Sequence, residues 1–189
     1  MDKDVSAGCS TSTLGQLALG LTLLAFGLGH TGVIDGVTAS GTVAVALATY
    51  VGGIALFVVG VLALREDRLT GTAFTGLGAL WFTWGASADS PVSANAAGLF
   101  LLLFALLALT LTAASGGSSL VRGTYALMCA ALLLLAVARF ADSGGLAKAG
   151  GWCAAAGGLL AWYGATAALA NWPTALPGRP AGRGVTATG

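Results

Sequence analysis

Hydroxyl side chains have the spacing best suited to solute chemistry. Thr72, Thr75, Ala79 and Thr83 follow one another at steps of three or four residues, so they share one face of a helix. A face of hydroxyls offers hydrogen bonds without charge, which suits a small uncharged or weakly acidic solute. Alternatively, each hydroxyl bonds a carbonyl of its own helix, as Ser and Thr often do in membrane helices. Spacing alone does not separate these interpretations.

No grouping of residues for catalysis or metal binding is visible in the sequence. The single histidine, His30, has Asp35 nearby but no Ser, Cys or second His grouped with it. Cys129 and Cys153 lie in apolar runs without the spacing of a disulfide framework or metal site, so we interpret them as packing residues. Hydrolase motifs and phosphate-binding loops are missing as well. We therefore predict a protein that is not an enzyme and holds no cofactor or metal.

Composition places these residues in a membrane. Of the 189 residues, 57% are hydrophobic and 8% are charged, whereas an ordinary soluble domain carries about 25% charged residues. Long apolar gaps separate the groups of charges, and a gap of this kind can hold the roughly 20 residues that cross a bilayer. The formal net charge of +1 provides no basic surface for nucleic acid. The sequence thus predicts an integral membrane protein whose partners are lipid and small molecules.

The apolar runs are predicted to be membrane-spanning helices. Residues 99–104 and 132–135 are apolar on every face, whereas the strands of a membrane barrel alternate polar and apolar residues. Six spans are expected, at roughly 14–34, 41–64, 70–88, 95–114, 120–139 and 147–172. They form one all-α domain over 14–172, between a cytoplasmic segment, 1–13, and a tail, 173–189, whose composition predicts disorder.

Positive charges in the short loops predict the orientation. The side that holds the amino terminus, the second and fourth loops and the tail carries Lys3, Arg65, Arg68, Arg122, Arg179 and Arg183. The opposite side carries Arg139 and Lys148. Because cytoplasmic loops carry the excess of Lys and Arg, both termini are predicted to be cytoplasmic. The protein is expected in the cytoplasmic membrane as a multi-pass protein.

Glycine recurs at seven-residue intervals in two of the predicted spans. Gly53 and Gly60 have this spacing in the second span, and Gly150, Gly157 and Gly164 have it in the sixth. Seven residues return to the same helix face, so each series forms a smooth stripe that another backbone can approach closely. The stripes predict glycine-rich packing, either between helices of one chain or between subunits of a homo-oligomer.

Two stretches of the sequence are similar to motifs of a known family. Residues 50–55 read YVGGIA and residues 72–81 read TAFTGLGALW. These resemble the YGGIAQ-like stretch and the TAFTSYGSFW stretch of the acetate uptake transporter family, of the succinate-acetate permease (SatP/YaaH) type. The likeness extends with fewer identities over roughly residues 10–172. The chain is identified as a divergent member of that family.

The resemblance implies a six-helix protomer with its own pore, assembled as a hexamer, that passes acetate and sometimes succinate. The family's pore constriction, an apolar trio of Phe, Tyr and Leu, falls on Leu19, Leu77 and Met128 of this chain. Both aromatic rings are therefore replaced by aliphatic side chains. Together with Thr72 and Thr75, these three residues form the predicted substrate pathway.

Other differences from the family also remove polar groups. Its NPAPLGL motif aligns with residues 10–15 and retains Leu14 and Gly15, and the Gln that follows GGIA is Leu56 here. Fewer donors weaken a carboxylate site, because an unpaired anion in a low dielectric is costly. We predict a transporter or channel for acetate or a similar small monocarboxylate. Any proton would move on the protonated acid, because the sequence places no acidic residue or histidine at the membrane midplane.

Two other functions remain open at this point. The first is a channel for a small neutral solute such as urea or an amide. The second is a membrane subunit that transports nothing and uses its glycine stripes for assembly. Pore-facing hydroxyls would favour transport, whereas a pore sealed by aliphatic side chains would favour assembly.

Overall fold

The computed structural model describes residues 6–33, 42–88, 90–116, 118–170 and 172, and these residues form helices and connecting turns without a β-strand. Helix α2 is continuous over 42–63 and has three parts: an α-helical turn at Thr42–Ala46, a π-helical segment at Leu47–Ala55 and a second α-helical part at Leu56–Ala63. The other helices are α1 (Ser6–Thr31), α3 (Arg68–Ala86), α4 (Ala94–Ala114), α5 (Ser119–Phe140) and α6 (Gly144–Ala170). The all-helical prediction is confirmed.

Five of these helices are long and apolar enough to cross a membrane, so this is a multi-pass membrane protein. The remaining long helix, α3, has 19 residues and is interrupted by threonines and glycines that lower its hydropathy. Helix α1 begins at Ser6, inside the segment 1–13 that was predicted to precede the first span. The predicted loop around Asp35, the turn residue Asp89 and the tail 173–189 lie outside the described residues.

The helices form a closed ring in the order α3, α2, α1, α6, α5 and α4. The contact of α1 with α6 is the most extensive, and α3 meets α4 only lightly. This ring surrounds one cluster of buried apolar side chains. All six helices contribute to the cluster, but α6 contributes little. The centre of the protomer is therefore packed with hydrocarbon.

Glycines set the close contact between α1 and α6. These helices run antiparallel, and Gly20 lies against Gly158 while Gly27 lies against Gly151. A Cβ atom on Gly158 would lie 2.6 Å from the backbone N of Leu24, and one on Gly151 would lie 2.8 Å from the carbonyl O of Gly27. Both glycine pairs repeat after seven residues on each helix, so the two backbones touch at matching turns.

The predicted stripe on α2 packs against α3 of the same chain. A Cβ atom on Gly53 would lie 2.9 Å from the Cα of Phe82, and one on Gly60 would lie 2.3 Å from the backbone N of Thr75. Neither distance accommodates a side chain without movement of the backbone. Of the two packing partners that the sequence left open, this stripe therefore meets a helix of its own protomer.

The predicted stripe on α6 is less uniform. A Cβ atom on Gly150 would lie 2.8 Å from the side chain of Leu135 in α5, and one on Gly157 would lie 3.3 Å from its nearest atoms on α5 and α1. On Gly164 the nearest atom would be Oε1 of Gln16, at 3.6 Å, which is an ordinary contact distance. Gly150 and Gly157 thus pack within the protomer, while Gly164 leaves space beside α1.

Asp67 caps the amino terminus of α3 at the charged turn that follows α2. Its carboxylate accepts hydrogen bonds from the backbone N–H of Leu69 at 3.2 Å and of Thr70 at 3.0 Å. The hydroxyl of Thr70 also donates to it. These bonds, first of all the one from the Thr70 hydroxyl, hold the pKa of the Asp67 carboxyl below its ordinary value.

We expect Asp67→Ala to lower the free energy of unfolding by about 1 kcal/mol, because two N–H groups of the first turn lose their acceptor. Since the folded-state pKa is lowered, the stabilisation by the carboxylate is complete above the ordinary carboxyl pKa and is lost as pH falls through the lowered value. Thermal unfolding in detergent at neutral and acid pH measures both effects. An Asp67→Ala protein as stable as the parent at neutral pH would contradict this capping role.

Candidate functional site

A cavity of about 160 Å³ opens at the end of the ring where α1 and α5 begin. Gln16 and Leu19 of α1 line it together with Thr124 and Tyr125 of α5 and Gly164 of α6. We call it the Gln16 cavity. The residues that line it carry no charged side chain, and its polar side-chain groups are hydroxyls and one amide.

A larger cavity, of about 520 Å³, opens at the opposite end of the ring. Phe26 and His30 of α1, Trp84 of α3, Phe100 of α4 and Arg139 of α5 are among the residues that line it. We call it the His30 cavity. A neighbouring cavity of about 220 Å³ shares His30 and Arg139 with it and also touches Asp142 and Ser143 in the turn after α5. The two ends of the protomer therefore differ in charge.

A buried apolar layer separates the two cavities. Leu19 lines the Gln16 cavity and Phe26 lines the His30 cavity, and seven residues of helix α1 separate them by about 10 Å. Leu77 of α3 and Met128 of α5 belong to the same buried cluster. The exposed fractions of Leu19, Leu77 and Met128 are 1%, 0% and 0%. The three residues aligned with the family's constriction thus all belong to this buried cluster, and we call them the apolar barrier.

Aromatic rings close the barrier on the side of the His30 cavity. The ring of Phe26 lies 5.1 Å from that of Trp81, 5.3 Å from that of Trp84 and 4.4 Å from that of His30, measured between centroids. The contacts with both tryptophans are edge-on, an arrangement that aromatic pairs favour. The cluster fixes the floor of the His30 cavity.

Three buried side-chain polar atoms have no hydrogen-bond partner among the described residues: Oγ1 of Thr22, Oγ1 of Thr75 and Nε1 of Trp81. Thr22 and Trp81 form a pair against Gly52 in the π-helical segment, where a Cβ atom would be 2.5 Å from Cγ2 of Thr22 and 3.0 Å from Cγ of Trp81. Sequence reasoning did not single out this pair or the π-helical segment. Since buried polar groups are nearly always satisfied, the pair offers donors to a water molecule or a solute.

The predicted hydroxyl face does not line the barrier. Thr72 and Thr83 are exposed, Thr83 lines the His30 cavity, and the hydroxyl of Thr83 donates to the carbonyl O of Ala79 at 2.8 Å. The hydroxyl of Thr75 points at Gly60 of α2, 2.6 Å from the position of a Cβ atom there. Thr72 thus lies on the outer side of α3 and Thr75 on the side that faces α2, and their place in the substrate pathway stays a prediction. The apolar side of α3, which includes Leu77, fills the ring instead.

Charge is kept out of the described interior. Every Asp, Glu, Lys and Arg that the structure describes is exposed, and His30 is half-buried at the end of α1. The Nδ1–H of His30 donates to the carbonyl O of Phe26 at 2.9 Å, which leaves Nε2 as the ring nitrogen without a protein partner in the described chain. Within the same residues, no group of three or more His, Cys, Asp or Glu side chains is arranged to hold a metal ion.

A sequence profile of the GPR1/FUN34/yaaH family matches residues 6–176, which is most of the chain. The chain belongs to the GPR1/FUN34/yaaH family. This confirms the resemblance carried by the motifs at 50–55 and 72–81. In the structure, those motifs lie in the π-helical segment and in α3, and they meet at Gly52 and Trp81.

This member of the GPR1/FUN34/yaaH family is similar to two described proteins. It is 30% identical over 171 residues to the glyoxylate pathway regulator of Yarrowia lipolytica (strain CLIB 122 / E 150), a match that covers 84% of this chain and 63% of that protein. It shares the fold of the bacterial acetate channel SatP, with a TM-score of 0.77 and 24% identity over 88% of this chain and 97% of that one. Neither the family nor this fold suggests an enzyme.

Proposed function

We propose that this protein is a transporter or channel for acetate or a similar small monocarboxylate in the cytoplasmic membrane, with both termini cytoplasmic. The observation that carries the proposal is a pair of cavities at opposite ends of one helix ring, with the apolar barrier between them. A structural subunit has no need of two aligned cavities. The shared fold with the acetate channel SatP supports the substrate class.

The chemistry of the barrier favours a small acid that crosses without its charge. Leu19, Leu77 and Met128 supply no donor to a carboxylate, and burying an unpaired anion costs many kcal/mol. A protonated acid avoids that cost and needs only hydrogen bonds, for which Thr22 and Trp81 have free groups among the described residues. We propose that the proton moves on the acid itself, since the charged side chains in the described chain are all exposed.

The assembly is proposed to be a homo-oligomer, and a hexamer by the family resemblance. Gly53 and Gly60 are already covered by α3 of the same chain, so the subunits would meet through other surfaces. The outer faces of α2 and α3 carry exposed side chains, including Ile54, Phe57 and Phe82, that suit either lipid or a neighbouring subunit.

Counterflow of radiolabelled acetate in liposomes tests the function. We expect the purified protein to exchange acetate faster than acetamide, urea or glycerol, and the acetate rate to rise as external pH falls, because more of the acid is then protonated. Protein-free liposomes at each pH correct for diffusion of the acid through lipid.

Two outcomes would contradict this assignment. Exchange of acetamide or urea in preference to acetate would identify a neutral-solute channel instead. No exchange of any of the four solutes would favour the alternative of an assembly subunit, for which the closed barrier is the supporting observation.

A further inference from the structure

Arg139 stands at the mouth of the protomer without a protein partner among the residues that the structure describes. It lies in the last turn of α5, is exposed, and lines both the His30 cavity and its smaller neighbour. Its guanidinium makes no hydrogen bond or ion pair within the described residues. Arg122, near the start of the same helix, differs because its Nε–H donates to the carbonyl O of Ser115 at 2.9 Å. Of the two arginines of α5, Arg122 therefore has a hydrogen-bond partner, and Arg139 has none among the described residues.

His30 adds a second binding group to the same space. It lines both cavities with Arg139, and its Nδ1–H is used by the carbonyl O of Phe26. The remaining nitrogen, Nε2, accepts a hydrogen bond when the ring is neutral and donates one when it is charged. It can therefore bind a carboxylic acid or a carboxylate, whichever is present.

The opposite mouth has no comparable charge. The residues that line the Gln16 cavity are uncharged, with Gln16, Ser118, Thr124 and Tyr125 as its polar members. Of the two mouths, therefore, it is the His30 cavity that has a cation on its wall. A cationic wall in a cleft raises the local concentration of anions, whereas it does nothing for a neutral solute.

We propose that Arg139 and His30 form a carboxylate-capture site at the mouth of the His30 cavity, a role that rests on the proposed function. Arg139 binds the carboxylate oxygens with two parallel N–H groups, a geometry that suits guanidinium better than ammonium. His30 Nε2 holds the acid beside the aromatic floor of Phe26 and Trp84. Asp142 lines the smaller cavity and opposes the anion.

Quenching of tryptophan fluorescence tests the site without transport. Trp84 lines the His30 cavity, so iodide held by Arg139 would quench it. In detergent at constant ionic strength, we expect Arg139→Gln to lower quenching by iodide while quenching by neutral acrylamide stays the same. Arg122→Gln is the matched control on the same helix and should behave like the parent. In a Trp84→Phe background, the effect of Arg139→Gln should disappear.

Competition identifies the chemical class of the ligand. Acetate should protect the parent protein from iodide, and acetamide of nearly the same size should not. Asp142→Asn should strengthen the protection, because it removes the opposing charge. Arg139→Lys keeps the charge but loses the paired N–H groups, so it should retain part of the protection. If Arg139→Gln folds poorly, Arg139→Lys takes its place as the test variant.

Transport provides the second readout. Loss of a hydrogen bond to a charged group weakens binding by about tenfold or more, so we expect Arg139→Gln to raise the KM for acetate by about tenfold. The maximal rate and the flux of acetamide should be unchanged, because the apolar barrier is untouched.

The outcomes separate the capture site from the function. Parental iodide quenching and parental acetate KM in Arg139→Gln would overturn the site even if acetate is transported. An equal loss of quenching in Arg122→Gln would also overturn it, because a general surface-charge effect would then explain the result. Acetate protection that depends on Arg139, in a protein that transports no acetate, would uphold the site and refute the proposed function.

Discussion

A Leu77→Thr protein is expected to carry acetate about two to ten times faster than a Leu77→Val protein, because a hydrogen bond to the neutral, protonated acid contributes about 0.5 to 1.5 kcal/mol. Leu77 is fully buried in the apolar barrier. Threonine and valine have nearly the same shape, so both variants leave the same space and differ by one hydroxyl. The hydroxyl stabilises a carboxyl group where the parent offers only hydrocarbon. Counterflow in liposomes at one pH measures the ratio.

Acetamide is the control solute for this pair. Its flux should rise in both variants, since both widen the barrier equally and the added hydroxyl can bond the carbonyl group of either neutral solute. Equal acetate flux in Leu77→Thr and Leu77→Val, with the parental ratio of acetate to acetamide, would remove Leu77 from the pathway. The assembly interpretation would then gain support.

A Gly158→Ala protein is expected to lose about 1 to 3 kcal/mol of stability, the usual cost of overpacking. The added methyl group would lie 2.6 Å from the backbone N of Leu24 and 2.8 Å from the carbonyl O of Gly20. Backbone atoms cannot move away by a change of rotamer as a side chain does. The added methyl group must therefore push α1 and α6 apart along their whole contact. The loss should appear as a lower unfolding temperature in detergent.

Gly164→Ala is the matched control on the same helix. Its methyl group would meet nothing closer than Oε1 of Gln16 at 3.6 Å, so stability should stay the same or rise slightly, because alanine favours helix over glycine. Equal destabilisation by the two substitutions would mean that glycine flexibility, rather than the close approach of α1 and α6, sets the stability of this region.

Membrane class and helix positions followed from composition and the spacing of charges. The helices found at 42–63, Ala94–Ala114 and Ser119–Phe140 end within two residues of the predicted spans at 41–64, 95–114 and 120–139. The physical reason is that a bilayer demands about 20 apolar residues with every backbone group bonded within the helix. The hydrophobicity of consecutive residues therefore shows directly where the spans lie.

Alignment with the family placed Leu19, Leu77 and Met128 at one constriction, and all three are buried in one cluster although they belong to three different helices. Their role in a substrate pathway stays a prediction. The π-helical segment at Leu47–Ala55 was not predicted. The hydrophobic pattern does not reveal it, because the residues of this segment are equally apolar whether they form an α-helix or a π-helix.

Only the tertiary structure decided which face of each helix points inward. Steps of three and four residues grouped Thr72, Thr75 and Thr83, but only packing shows that Thr72 is exposed, that Thr75 faces α2 and that Thr83 lines the His30 cavity. Heptad spacing found Gly157, but it is the neighbouring Gly158 that touches α1, at Gly20, on a helix far away in sequence. In a soluble protein, the inner face of a helix would be apolar and the outer face polar, so the sequence would distinguish them. In a membrane, lipid tails are as apolar as the protein core, so periodicity defines a face while packing between helices decides what it meets.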